Sequence, residues 1–189
     1  YMTFAFMGMT RSPSTEREGR TETDIGFRPT SQYIRDNRAK ILKILNMSPI
    51  HMAIDSGSTE SLCGLLDRVI NVLKGRTKRF LTANGRISTN LTGDLPIFGV
   101  RKEDGKLYII LVRVNVLENA PTLISVRQMI KMGFDNPDFK GLSWTYSARS
   151  QRKYTFALSD DGNDYIWKNA ATPITHLPRF LALSTDNTL

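Results

Sequence analysis

The residues best equipped for chemistry in this 189-residue chain are Asp55, Ser56, Gly57 and Ser58, which follow the apolar run Met52-Ala53-Ile54. Two such carboxyl groups brought together cannot both ionise, so they share one proton. The ionised member then acts as general base toward a water between them. The protonated member donates to a peptide carbonyl oxygen as the gem-diol develops. In this scheme Asp55 supplies the carboxyl and Ser56 a hydroxyl able to tie two such loops together. Gly57 leaves room for backbone beside the carboxylates, where a Cβ would intrude. The same tetrapeptide also suits an Asx-type turn after a strand. Ser56, Ser58, Thr59 and Ser61 beside acids would equally suit a phosphorylation site. On the tetrapeptide alone these readings stay open.

Competing chemistries are thinly supplied. One cysteine, Cys63, excludes an internal disulfide framework and a Cys-rich zinc site. Two histidines, His51 and His176, argue against a His-dependent metal centre, so no metal or cofactor is expected. The longest apolar run, Leu107 to Val112, is far short of the ~20 residues of a membrane span. The opening YMTFAFMGM lacks a basic flank and is read as a piece of a longer chain instead of a signal peptide. The net charge of +8 is spread along the chain, with one acid-free cluster of Arg68, Lys74, Arg76, Lys78 and Arg79 that could meet phosphates or be a solvated face.

Periodicity supplies the elements that would position Asp55. Residues 1–30 are poor in large apolar side chains between 10 and 30 and read as a flexible linker. A helix over 31–46 follows, with Ile34, Ile41, Leu42 and Leu45 at helical spacing and Asn46 and Pro49 closing it. A domain over 47–140 begins with the strand ahead of Asp55, then a helical or mixed stretch from Leu62 to Leu73. Short strands separated by Asn84-Gly85, Thr92-Gly93-Asp94 and a turn around Gly105 come next. Leu107 to Leu117 reads as a long buried strand, and Pro121 opens a helix carrying Leu123, Ile124, Val126, Met129 and Ile130 and capped by Gly133. Residues 141–189 read as a β extension and tail with a hairpin break at Asp161-Gly162. The fold class is mainly β.

The order and separation of IDSGST (54–59), TANG (82–85), VNVLENAP (114–121) and LISVRQMIKMGF (123–134) resemble a retropepsin, and more narrowly the aspartic protease of copia-type retrotransposons. The resemblance covers about residues 47–135. It implies a small β-barrel protomer with one C-terminal helix, to which this chain adds a β-hairpin extension. It implies Asp55 as the catalytic residue, with Ser56, Gly57 and Ser58 shaping the loop. It also implies a flap, for which Ala83, Asn84 and Gly85 are the candidate tip and Gly93 the alternative. Retroviral relatives pair an acid near the catalytic loop with an arginine of the helix. Here Glu60, one place late, and Arg127 are the counterparts for that dimer ion pair.

No second Asp-Ser/Thr-Gly occurs, so one chain offers one catalytic carboxyl and a homodimer is needed for the dyad. The expected substrate is an extended segment of a Gag-Pol-like polyprotein, in a cytoplasmic, reducing compartment or within virus-like particles. Two other readings remain: an inactive module of the same fold used for dimerisation or partner binding, and a nucleic-acid-associated segment using Arg68 to Arg79. The aromatics Trp144, Tyr146, Tyr154, Phe156, Tyr165 and Trp167 suit either a hairpin core or a stacking platform. Cys63, Met129 and Met132 read as core.

Overall fold

The computed structural model describes residues 31–82, 85–147, 152–168 and 179–180. The linker expected over residues 1–30, the candidate flap residues Ala83 and Asn84, and most of the tail lie outside them. In chain order the elements are α1 (Ser31–Leu45), β1 (Met52–Asp55), β2 (Leu62–Cys63), a 3₁₀ turn (Leu66–Arg68), β3 (Ile70–Thr82), β4 (Gly85–Val100), β5 (Leu107–Val116), β6 (Thr122–Ser125), α2 (Val126–Lys131), β7 (Ser143–Ser147), β8 (Lys153–Asp160), β9 (Tyr165–Trp167) and β10 (Arg179–Phe180). The protein is mainly β.

Nine strands follow one another in the order β3-β4-β5-β2-β6-β1-β9-β8-β7, with β10 added alongside β5. Among the described residues this sheet begins at β3 and ends at β7 without joining, so the expected closed barrel is replaced by an open sheet. Its main core gathers Met52, Ile54, Leu95, Ile97, Ile110, Val112, Val114, Ile124 and Met129 with Trp144, Phe156 and Trp167. The β7–β9 segment is therefore part of the same core, and β9 pairs antiparallel with β1 at Ala53↔Ile166. α1 covers one side of the sheet, burying Ile41, Ile44 and Leu45 against Ile70, Phe98, Ile109 and Leu111. Asn46 closes that helix by donating its side-chain amide to Leu42 O at 3.0 Å.

Three sequence expectations change. Leu62 to Leu73 is not helical beyond the single 3₁₀ turn; it forms β2 and the start of β3. The segments on either side of Thr92-Gly93-Asp94 are one 16-residue strand. Asp94, only 1% exposed, stays in the strand because the Arg113 guanidinium donates to it from β5 at 2.6 Å. Pro96 is tolerated there because β3 pairs with β4 only as far as Asp94, leaving β5 as the one strand partner beyond it among the described residues. The helix expected from Pro121 is shortened to Val126–Lys131, because residues 122–125 are drawn into the sheet as β6, parallel to β1. Ile130 consequently lies exposed, while Met129 and Met132 are fully buried. Gly105 (φ +66°), Gly133 (φ +106°) and Gly162 (φ +90°) occupy the expected turns, each in the left-handed region that favours glycine.

Candidate active site

Asp55 ends β1, whose Met52, Ala53 and Ile54 are buried between β6 and β9. The parallel register Ile54↔Ile124 and Asp55↔Ser125 delivers the acid beside the junction of β6 and α2. The chain then leaves the sheet in a tight loop. Asp55 Oδ1 accepts hydrogen bonds from the backbone N–H of Gly57 at 2.8 Å and of Ser58 at 3.2 Å. These two bonds fix one carboxylate oxygen against the loop backbone. Asp55 is half-buried, and Ser56 and Gly57 are exposed. Among the described residues no cation stands within ion-pair distance of Asp55.

The inner side of the loop is built from hydroxyl and amide groups. Ser58, 2% exposed, donates its hydroxyl to Glu60 O at 2.5 Å, and its own carbonyl accepts from Ser125 Oγ at 2.7 Å. Ser61 Oγ accepts from Ser125 N at 3.0 Å, and Ser61 N donates to Gln128 Oε1 at 2.8 Å. The other end of that amide, Gln128 Nε2, donates to Arg113 O on β5 at 2.7 Å. Ser125 Oγ in turn caps α2 by accepting from Gln128 N at 3.2 Å. All of Ser58, Ser61, Ser125 and Gln128 are buried, so each polar group needs these partners.

Ser125 and Gln128 were not singled out as site residues by sequence reasoning, although the signal was present. Ser-x-x-Gln at 125–128 is the spacing of a capping box, in which the glutamine side chain folds back onto its own helix. Here that side chain turns outward to the Asp55 loop instead. Close approach also shapes the bend just after β2, since a Cβ on Gly64 would stand 1.7 Å from Ala120 O. No residue but glycine fits there without moving backbone.

Within one copy, Glu60 and Arg127, the expected dimer ion pair, do not meet. Glu60 Oε2 is taken by Lys78 Nζ at 2.9 Å and by Asn115 Nδ2 at 2.6 Å, while Arg127 projects from the exposed side of α2 and does not reach it. Glu60 thus ties the Asp55 loop to β3 and β5 within one protomer. β3 is the first strand of the hairpin that contains the candidate flap tip. Thr82 pairs with Gly85 across the tip, Thr82 Oγ1 donates to Gly85 O at 2.9 Å, and Gly85 adopts φ +113°. Gly93, the alternative tip, lies mid-strand opposite Val114 and packs so closely that a Cβ would meet Val69 Cγ1 at 2.3 Å. The hairpin's inner side reaches the site, because Phe80, with Ile87 beside it, packs on Ala53, Leu62 and Leu123.

Residues set aside by sequence reasoning stay outside the site. Trp144, Phe156 and Trp167 are fully buried, and both indoles donate to backbone carbonyls, of Asp135 and Phe98. They are core and offer no stacking platform. Burial pushes the Cys63 thiol above its ordinary pKa, which disfavours the reactive thiolate. His51, Asp161 and Asp164 place three potential metal donors within 4.8 Å of one another at the surface. Among the described residues no helix is long and apolar enough to cross a membrane. Comparisons of the chain with protein-family models, curated proteins and solved structures give no match.

Proposed function

We propose that this chain is an aspartic endopeptidase of the retropepsin type, active as a homodimer in which Asp55 of each copy supplies half of a proton-sharing pair. The observation that carries the reading is the state of Asp55. Its Oδ1 is oriented by the amides of Gly57 and Ser58, it stands at the end of a buried strand, and the loop side bearing Ser56 and Gly57 is open to a second copy. A carboxylate neutralised by a buried cation could not fill this role. The hairpin of β3 and β4, tied to the loop side through Glu60–Lys78 and Phe80, would be the cover over an extended substrate.

In the dimer one Asp55 would be ionised and its twin protonated. The ionised carboxylate accepts a proton from the water as its oxygen attacks the peptide carbonyl carbon. The twin gives its proton to the carbonyl oxygen, forming a neutral gem-diol. Collapse of that diol breaks the C–N bond, with a proton passing to the departing amine nitrogen. The peptide would lie extended between hairpin and dyad, held through backbone hydrogen bonds like an added strand. A polyprotein segment is the substrate this mode suits.

The test is a mixing experiment on the 189-residue chain with a fluorogenic peptide library. Asp55→Asn should lower turnover by about 10²–10⁴-fold, the usual range for loss of general acid–base catalysis. Titrating that variant into the parent chain should lower activity as the square of the parent fraction, since a mixed dimer holds only one ionisable partner. Cleavage that survives the substitution, or a strictly linear decline on mixing, would overturn the proposal.

A further inference from the structure

The hairpin has a second face. Between Asp67 and Asp94 the sequence carries six basic residues and no acid, and folding sorts those six. Arg68 turns inward, donating Nη1 to Ser48 O at 2.6 Å, and Lys78 is held by Glu60. The other four, Lys74, Arg76, Arg79 and Arg86, are exposed, and among the described residues none of them is in an ion pair.

Their arrangement follows from strand register. The pairs Phe80↔Ile87 and Lys78↔Thr89 share the face turned to the protein, where Phe80 and Thr89 are buried. The alternate pairs Arg79↔Ser88 and Leu81↔Arg86 therefore share the opposite face. Arg79 and Arg86 become diagonal neighbours from different strands, about 7–8 Å apart by the geometry of an antiparallel pair. They stand 7 positions apart in sequence and only the hairpin joins them. Farther along, the register shift between Lys74 and Lys78 sets Gly75, Arg76 and Thr77 against the single residue Asn90. Arg76 is exposed at the centre of that bulge, opposite Asn90, whereas Lys74 pairs with Leu91, which packs on the core, and so falls on the inner side.

We infer that the outer face of the β3–β4 hairpin binds the phosphodiester backbone of nucleic acid, independently of sequence and of Asp55. The three cations of this face, Arg76, Arg79 and Arg86, are all arginines, whose planar fork matches phosphate oxygens in a two-pronged contact. Ser88, exposed opposite Arg79, adds a hydroxyl of the kind that commonly meets phosphate, and the exposed Leu81, opposite Arg86, adds apolar area that a sugar could cover. A two-stranded antiparallel ribbon also has the width that a DNA major groove admits, whereas an acidic protein partner would call for a larger apolar centre. The inner face packs on the protein through Phe80 and Thr89, so the outer arginines share no side chain with the Asp55 site.

The experiment is fluorescence anisotropy of the full chain with labelled single-stranded RNA, single-stranded DNA and duplex DNA, titrated with salt. Binding should weaken between about 50 and 200 mM salt with a log–log slope near −2 to −3, corresponding to three phosphate contacts. The double substitution Arg79→Ala/Arg86→Ala should reduce that slope by about 1.5–2 and weaken binding at least about tenfold at the lower salt. Arg79→Lys/Arg86→Lys should restore the slope. Lys102→Ala/Lys140→Ala, which removes the same charge from exposed positions elsewhere, should leave binding unchanged. Equal loss in that control, no salt-dependent binding, or equally effective competition by polyglutamate would overturn the inference. Asp55→Asn should bind like the parent chain, so a failed peptidase reading would leave this result standing.

Discussion

Two acidic turns in this molecule share one local geometry. In the first, Asp55 Oδ1 accepts from the N–H groups two and three residues on, at 2.8 and 3.2 Å. In the second, Asp161 Oδ1 accepts from Asn163 and Asp164 N–H, at 2.9 and 2.8 Å. What lies behind them differs. Asp161 caps a hairpin between β8 and β9 at the surface, with the exposed His51 Nε2 at 3.1 Å from its other oxygen. Asp55 stands on a buried strand, and its loop is bolted from within by Ser58, Ser61, Ser125 and Gln128. An aspartate turn closed by the amides that follow it thus recurs in this chain, and only a buried frame at its back makes it a fixed chemical position.

The comparison can be broken most directly through activity. Asp55→Asn should lower peptidase turnover by about 10²–10⁴-fold, whereas Asp161→Asn should leave kcat/KM within experimental error in the same assay. A comparable loss in both would mean that the buried frame confers nothing. Next in size is the frame itself. Gln128→Ala strands the buried Ser61 N–H and Arg113 C=O together, so it should cost about 2–4 kcal/mol in urea unfolding, with the midpoint lowered and the m-value unchanged. Ser125→Ala removes a helix cap and the bond to Ser58 O, with an expected loss of about 1–3 kcal/mol. Both variants should lower kcat more than they raise KM, because the loop that orients Asp55 loosens.

The smallest effect is the pH dependence of the surface turn. The amides of Asp164 and Asn163, then His51, hold the Asp161 carboxyl at a pKa of about 2, below its ordinary 3.8. A depressed folded-state pKa means that the ionised form favours the folded state. The stabilisation is therefore complete above the unfolded value and lost as pH falls through about 2. The difference in unfolding midpoint between the parent and Asp161→Asn should close across that window. A difference that stays constant down to pH 2 would assign the turn's contribution to packing alone.

Much of this was legible in the residues, and the parts that were not share a cause. The α1 stripe, the β5 run, the Asn84-Gly85 hairpin and the Asp161-Gly162 break are written in contacts near in sequence, and the described residues around each carry the expected strands or helix. Where the reading failed, a distant partner decided. Thr92-Gly93-Asp94 carries every mark of a turn, but Arg113 compensates Asp94 from the neighbouring strand and the chain runs straight through. Thr122 to Ser125 has helical spacing, yet parallel pairing to a strand 70 positions earlier outweighs it. The same holds at the site. Asp55 could be picked out by its neighbours, whereas Gln128 acquires its role from Ser61 and Arg113, neither of which its local pattern indicates.

The pairing of β9 with β1 carries a consequence for synthesis. The strand bearing Asp55 gains its outer neighbour only when residues near Ile166 have been made, more than a hundred positions later. Until then one border of that strand is bare, a template for mispairing with other nascent chains. Cutting the gene after codon 140, where the apolar patterning invites a boundary, would make that bare border permanent. It would also remove Trp144, Phe156 and Trp167 from the common interior. The short product should accumulate as aggregate, so anyone preparing this protein in pieces should keep the later strands with the earlier ones.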